Sequence, residues 1–236
     1  MTIKVKDLNK RYGNFQVISN LNIDFPPNRI HCIFGPSGCG KTTLVNILSG
    51  LTQRDSGDIL GIEGKTFSYI FQEDRLLPWA SVKENILFAL DNRYKKEKAL
   101  DQANKYLALV DLLTFQDSYP AELSGGMKQR AAIARAFAYG GNILIMDEPF
   151  KGLHLELKQN LMDYIINCWN MENRQLFFIT HDLDEALYLA EDIYIFDGPP
   201  LQLRDKITIS ISPSSRGEDQ RQINYYRDKL IKSIPK

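Results

Sequence analysis

The stretch GPSGCGKTTL, residues 35–44, restricts the possible folds more than any other part of the chain. It follows the short apolar run RIHCIF and leads into a segment with helical spacing from Lys41. A strand that turns through glycines into a helix is one half of a crossover unit, and the chain repeats the pattern. The apolar run NILIM precedes the helical ELKQNLMDYIINCWN, and QLFFIT precedes HDLDEALYLAED, after which comes IYIF. Apolar strands that alternate with helices predict an α/β core with a largely parallel sheet.

Elsewhere the pattern changes. IKVKDLNKRY and VISNLNIDF alternate apolar and polar residues, as half-buried strands do. KTFSYIF reads as a further strand that ends near Gln72. Over residues 82–113, in VKENILFAL and KEKALDQANKYLALVDLL, apolar residues recur at helical spacing on a charged background, which predicts a mostly helical lobe. The expected organisation is one domain over 1–236. Its core is formed by 1–74 and 142–210, its helical subdomain by 75–141, and residues 211–236 form a polar, partly disordered C-terminal tail.

With 236 residues, 44% of them hydrophobic, the chain is long enough to bury a substantial core. The formal net charge of zero gives no global field toward nucleic acid or anionic lipid. Cys32, Cys39 and Cys168 lack metal or redox spacing, which fits a reduced, intracellular protein. The start, MTIKVKDLNK, has no run of signal-peptide length. No apolar stretch approaches the roughly 20 residues that cross a bilayer.

Three features carry chemistry. Gly35, Pro36, Ser37, Gly38, Cys39, Gly40, Lys41 and Thr42 fit G-x-x-x-x-G-K-[ST] at every fixed position, with Thr43 next in the helix. Glycines let backbone N–H groups converge on phosphate oxygens, and the helix N-terminus adds the positive end of its dipole. Lys41 then reaches the β- and γ-phosphates, and the Thr42 hydroxyl is a hard oxygen ligand for Mg²⁺. Cys39 sits at a free position and reads as a small filler. ILIMDE ends a buried strand with Asp147 and Glu148. Asp147 suits the Mg²⁺ shell, and Glu148, expected to point elsewhere by strand alternation, is left to polarise a water. In LSGGMKQR a serine and two glycines open a helix, and alone they serve an N-cap as well as an anion site. His31, in a strand without a motif, reads as structural.

Taken together, GPSGCGKT, LSGGMKQR and MDEP make the chain resemble the ATP-binding cassette ATPases over roughly residues 2–205. The resemblance implies a P-loop NTPase (RecA-like) core with N-terminal antiparallel strands and an inserted helical subdomain. It implies ATP and Mg²⁺ as cofactors and a head-to-tail homodimer with ATP at the interface. There Ser124, Gly125, Gly126 and Met127 of one copy face the nucleotide held at Lys41 of the other. It also implies transmembrane permease subunits as partners, an extracytoplasmic substrate-binding protein acting through them, and no nucleic acid. The location would be peripheral, on the cytoplasmic face of the cell membrane.

By the same matching, Tyr12 falls where an aromatic ring stacks on adenine, with core packing as its other reading. Gln72 would touch Mg²⁺ or water and report nucleotide state. Glu148 is catalytic, and His181, directly after FFIT, contacts the γ-phosphate. SGGM with FQEDRLLPW resembles the importers of nitrate, sulfonate, taurine and related solutes. RLLPW lies where that group faces its permease, so Trp79 is either an interface residue or part of the lobe core.

Two departures stand out. The chain is short between Gly57 and Phe71, which trims a hairpin. His154, in EPFKGLHLELK, replaces an aspartate at the dimer seam. The resulting reading is the ATP-hydrolysing subunit of an importer for a small anion-type solute. A cassette ATPase of ribosomes or DNA would carry paired cassettes or a coiled-coil insertion, and neither is seen. A nucleotide-binding module without turnover would not need Glu148 and His181.

Overall fold

The computed structural model describes residues 1–71, 73–172, 174–216 and 220–234. Along the chain run β1 (Ile3–Tyr12), β2 (Phe15–Phe25), β3 (Ile30–Phe34), α1 (Lys41–Leu48), β4 (Ser56–Leu60), β5 (Phe67–Ile70), α2 (Val82–Leu90), α3 (Lys96–Leu109) and α4 (Gly125–Tyr139). Then follow β6 (Ile143–Asp147), α5 (Leu155–Glu172), β7 (Gln175–Thr180), α6 (Leu183–Leu189), β8 (Asp192–Asp197), β9 (Gln202–Thr208) and α7 (Gln220–Ser233). The chain divides into two compact units, one of residues 1–65 and 174–236 and one of residues 66–173.

In the first unit β1 lies antiparallel between β2 and β4. In a second sheet β3 lies parallel between β7 and β8, and β9 runs antiparallel along β8. Every residue of β3 and of β7 is buried, so IHCIF and QLFFIT have no solvent face and show no alternation. The buried imidazole of His31 is accommodated by hydrogen bonding and ring packing. Its Nε2 donates to Pro26 O at 2.8 Å, and Phe25, Phe177 and Tyr194 surround it. Asp192 Oδ2 stands 3.6 Å from Nδ1 and is held by Arg29 Nε at 2.9 Å. Burial pushes the His31 pKa down to about 4, against the opposing pull of the Pro26 hydrogen bond and of Asp192. It is a neutral core residue, as its lack of a motif suggested.

In the second unit β5 and β6 pair in parallel, and α2, α3 and α4 pack on one another. A capping box starts α2: Glu84 N–H donates to Ser81 Oγ at 3.2 Å, and Ser81 N–H donates to Glu84 Oε2 at 2.7 Å. Asn85 is buried. Its Oδ1 accepts from Leu77 N at 2.7 Å, and its Nδ2 donates to Ala80 O at 3.0 Å, which pins the LLPW turn. Among the described residues no helix is long and apolar enough to cross a membrane.

The tail departs from its expectation, since it carries α7, with Leu230 fully buried. Ahead of α7, the buried Arg216 guanidinium donates to Leu187 O at 2.7 Å and Ala190 O at 2.5 Å, capping the end of α6. Arg227 pairs with Asp184 in the first turn of α6.

Candidate functional site

The loop after β3 is shaped by two close approaches. A Cβ on Gly35 would stand 2.6 Å from Phe196 O of β8, so only glycine lets the strand leave the sheet along this path. Gly40 has φ +113°, and a Cβ there would meet Val17 Cγ1 of β2 at 3.0 Å and Leu201 Cβ at 3.3 Å. Between these points Pro36, Ser37 and Gly38 are exposed, while Cys39 is buried. Burial pushes the Cys39 thiol up, against the pull of Lys41, so it stays protonated and acts as filler.

Lys41, the first residue of α1, is buried, and its Nζ donates to Gly35 O at 2.8 Å and Pro36 O at 2.7 Å. The ammonium therefore lies inside the curl of its own loop, at the positive end of α1. Thr42 is exposed and Thr43 half-buried beside it. The first turn of a helix offers N–H groups that have no acceptor within the helix. Exposed backbone, a cation inside the loop and a hydroxyl at the helix start suit a polyphosphate.

His181 follows β7 and precedes α6, whose N-cap is Asp182. Gly35, Pro36 and His181 line one cavity of about 410 Å³, together with Asp197 and with Ile234 beyond α7. Tyr12 ends β1 in the same unit and is exposed, which removes its core-packing reading.

In the second unit Ser124 caps α4 by accepting from Met127 N at 3.3 Å. Ser124 and Gly125 are exposed, and Gly126 and Met127 half-buried. A Cβ on Gly126 would press on Leu157 of α5 at 2.8 Å, so the glycine brings α4 close to α5. Asp147 ends β6, and the strand does not continue into Glu148, which has φ +45°. A left-handed turn, rather than strand alternation, therefore sets the direction of the Glu148 side chain. Its Oε2 lies 2.6 Å from Lys151 Nζ. Gln129 of α4 donates to Pro149 O and ties the serine-glycine helix to the segment after the acidic pair.

Sequence reasoning missed Lys151, although a lysine three residues after a glutamate was a visible signal. It also missed Arg135 of α4, which donates to Asp74 O at 2.8 Å and Arg75 O at 2.9 Å and fixes the start of RLLPW. Gln72 lies outside the described residues. His154 is exposed, and its Nδ1 accepts from Leu157 N at 3.5 Å at the start of α5. Trp79 and Phe88 are 74% and 71% exposed, which excludes the lobe-core reading of Trp79. Both line an open groove of about 350 Å³ with Leu77, Ala80 and Leu87. Among the described residues no group of three or more His, Cys, Asp or Glu could hold a metal ion.

Residues 18–151 match a protein-family model described as ABC transporter. The chain is 35% identical to an aliphatic sulfonates import ATP-binding protein of Bacillus cereus, over 99% of this chain and 96% of that one. It is 40% identical to a putative ATP-binding protein of Brucella abortus, over 85% and 80% of the two chains. Among solved structures it resembles a dimeric ATP-binding cassette in a post-hydrolysis state with ADP and Pi. That match has a TM-score of 0.75 and 24% identity over 89% of this chain and 100% of the other. It also resembles a component of an ABC transporter complex from Clostridium perfringens, with a TM-score of 0.79 and 21% identity over 98% and 96% of the chains. The likeness in fold bears out an α/β P-loop NTPase architecture.

Proposed function

The chain belongs to the ABC transporter family and is an ATP-binding ATPase, and on that premise we propose that it energises an importer of small anionic solutes, sulfonates first. The solute rests on the relative named for aliphatic sulfonate import, together with SGGM and FQEDRLLPW. The observation that carries the nucleotide reading is Lys41 held inside the curl of residues 35–42 at the start of α1.

In this reading the loop from Gly35 to Gly40 holds the phosphates by its backbone, and Lys41 turns from the carbonyls of Gly35 and Pro36 to the β- and γ-phosphates. Thr42, Asp147 and Gln72 offer oxygen atoms to Mg²⁺, which would offset charge on the phosphates when bound. Glu148 orients or deprotonates the attacking water for in-line displacement at the γ-phosphate, and Lys151, its ion-pair partner, must yield the carboxylate for that step. His181 senses the γ-phosphate, and Tyr12 stacks on adenine. Ser124, Gly125, Gly126 and Met127 address a nucleotide bound by a second copy, so the working form is a homodimer. The exposed Trp79 and Phe88 would supply an apolar anchor for a permease subunit, and in this reading the chain sits peripherally on the cytoplasmic face of the membrane. An extracytoplasmic binding protein delivers the solute to that permease.

The test joins two substitutions. Lys41→Ala is expected to lose ATP affinity. Glu148→Gln is expected to keep it, to stop phosphate release and to trap an ATP-bound dimer visible by size-exclusion chromatography. Turnover near the parental rate in Glu148→Gln would remove that residue from its role. The solute is tested by ATPase stimulation in vesicles carrying the permease and binding protein, with alkanesulfonate against nitrate.

A further inference from the structure

The hairpin joining β1 to β2 ends in two aromatic rings, and the nucleotide reading uses only one. Tyr12 and Phe15 are the last cross-strand pair before the Gly13 and Asn14 turn, and they are 51% and 55% exposed. Directly opposed residues of an antiparallel pair share a face of the sheet. Val17 ties this end of β2 to the phosphate loop, because its side chain packs where a Cβ on Gly40 would stand, and its carbonyl accepts from Leu201 N at 2.7 Å. Phe15 is two residues from Val17 along β2, across a β-bulge where Lys10 pairs with Ile18 and Arg11 with Gln16, so at most roughly 7 Å of strand separates it from the residue that packs at Gly40. That displacement is of the order a sugar puts between a phosphate chain and its base.

A single exposed phenylalanine needs no explanation. Here two exposed rings flank one turn beside the loop that grips Lys41. The Lys10 ammonium lies 5.2 Å from the Tyr12 ring centroid and is itself held by Asp55 at 2.9 Å. With one face of Tyr12 taken by that cation, a base has the other face, and a bicyclic purine laid there extends toward Phe15.

We propose that Phe15 is a second base-contacting residue, so that a purine is held by Tyr12 and Phe15 together. The proposal rests on the assignment of residues 35–42 to a nucleotide. It is tested on the full chain by titration calorimetry with two probes, ATP and inorganic tripolyphosphate, which has the phosphates without the base. Phe15→Ala is expected to weaken ATP binding about tenfold, the usual order for losing a ring against a base. It leaves tripolyphosphate binding and the melting temperature unchanged, and Phe15→Trp restores ATP affinity. Unchanged ATP binding in Phe15→Ala overturns the proposal. So does an equal loss for both probes, which would make Phe15 a support of the loop. Lys41→Ala separates the premise: if it binds both probes as the parent does, the nucleotide assignment itself falls.

Discussion

Acidification bears on the first unit through His31. Folded, this imidazole is held down to about 4 by burial, whereas an unburied histidine titrates near 6.5. Between those values the unfolded chain carries the proton and the folded chain does not, so acid favours unfolding. The contribution is whole above about pH 6.5 and is lost as pH falls toward 4. Its full extent is about 3 kcal/mol, of which about 2 kcal/mol is gone by pH 5. His31→Gln keeps a donor for Pro26 O and removes the titration, while Asp192 and Arg29 stay in place. Urea midpoints are measured by far-ultraviolet circular dichroism at about pH 7 and about pH 5 for both proteins. The parent should lose about 2 kcal/mol more than the variant over that step. Equal losses would mean that His31 gains its proton without cost in the fold, and the reasoning from burial would be wrong.

Gly35→Ala places a methyl carbon 2.6 Å from Phe196 O, a backbone atom that cannot swing aside. Tripolyphosphate affinity should fall at least about tenfold and the melting temperature should drop; calorimetric binding equal to the parent's would show that the close approach to β8 is dispensable. His154→Asp supplies α5 with a stronger N-cap, worth about 0.5–1 kcal/mol, and should raise the Hill coefficient of ATP hydrolysis. Identical Hill coefficients in the two proteins would exclude His154 from coupling. Trp79→Ser with Phe88→Ser should leave the ATPase rate of the isolated chain intact and abolish co-purification with the permease, and retained co-purification would place the docking surface elsewhere.

What could be read in the sequence was what chemistry or burial fixes at short range. The loop at residues 35–42 declared itself because phosphate binding demands glycine, lysine and hydroxyl at set spacing. Runs such as QLFFIT did so because burial excludes polar residues. β9 escaped notice because QLRDKIT is mostly exposed and charged, and only its pairing with β8 makes it a strand. α7 looked like a polar tail, for what holds its segment lies far upstream in α6, where carbonyls of Leu187 and Ala190 accept from Arg216. The acidic pair was legible as types, but the left-handed turn at Glu148 was not, since nothing in DEPFK forces a glutamate into that conformation. Phe15 was passed over because no motif includes it, and only the register with Tyr12 singles it out.

The pairing of β3 sets an order on the making of this protein. Its neighbours on both edges, β7 and β8, are encoded after the whole second unit. A growing chain therefore exposes the glycine loop at the tunnel exit long before either strand that anchors it exists. The second unit is continuous in sequence and can gather itself meanwhile, as folding by units allows. Nucleotide capture must wait for β7 and β8, because the strand that carries the loop has no sheet to join until then. A stop codon between the second unit and β8 would therefore disable a loop encoded well before it.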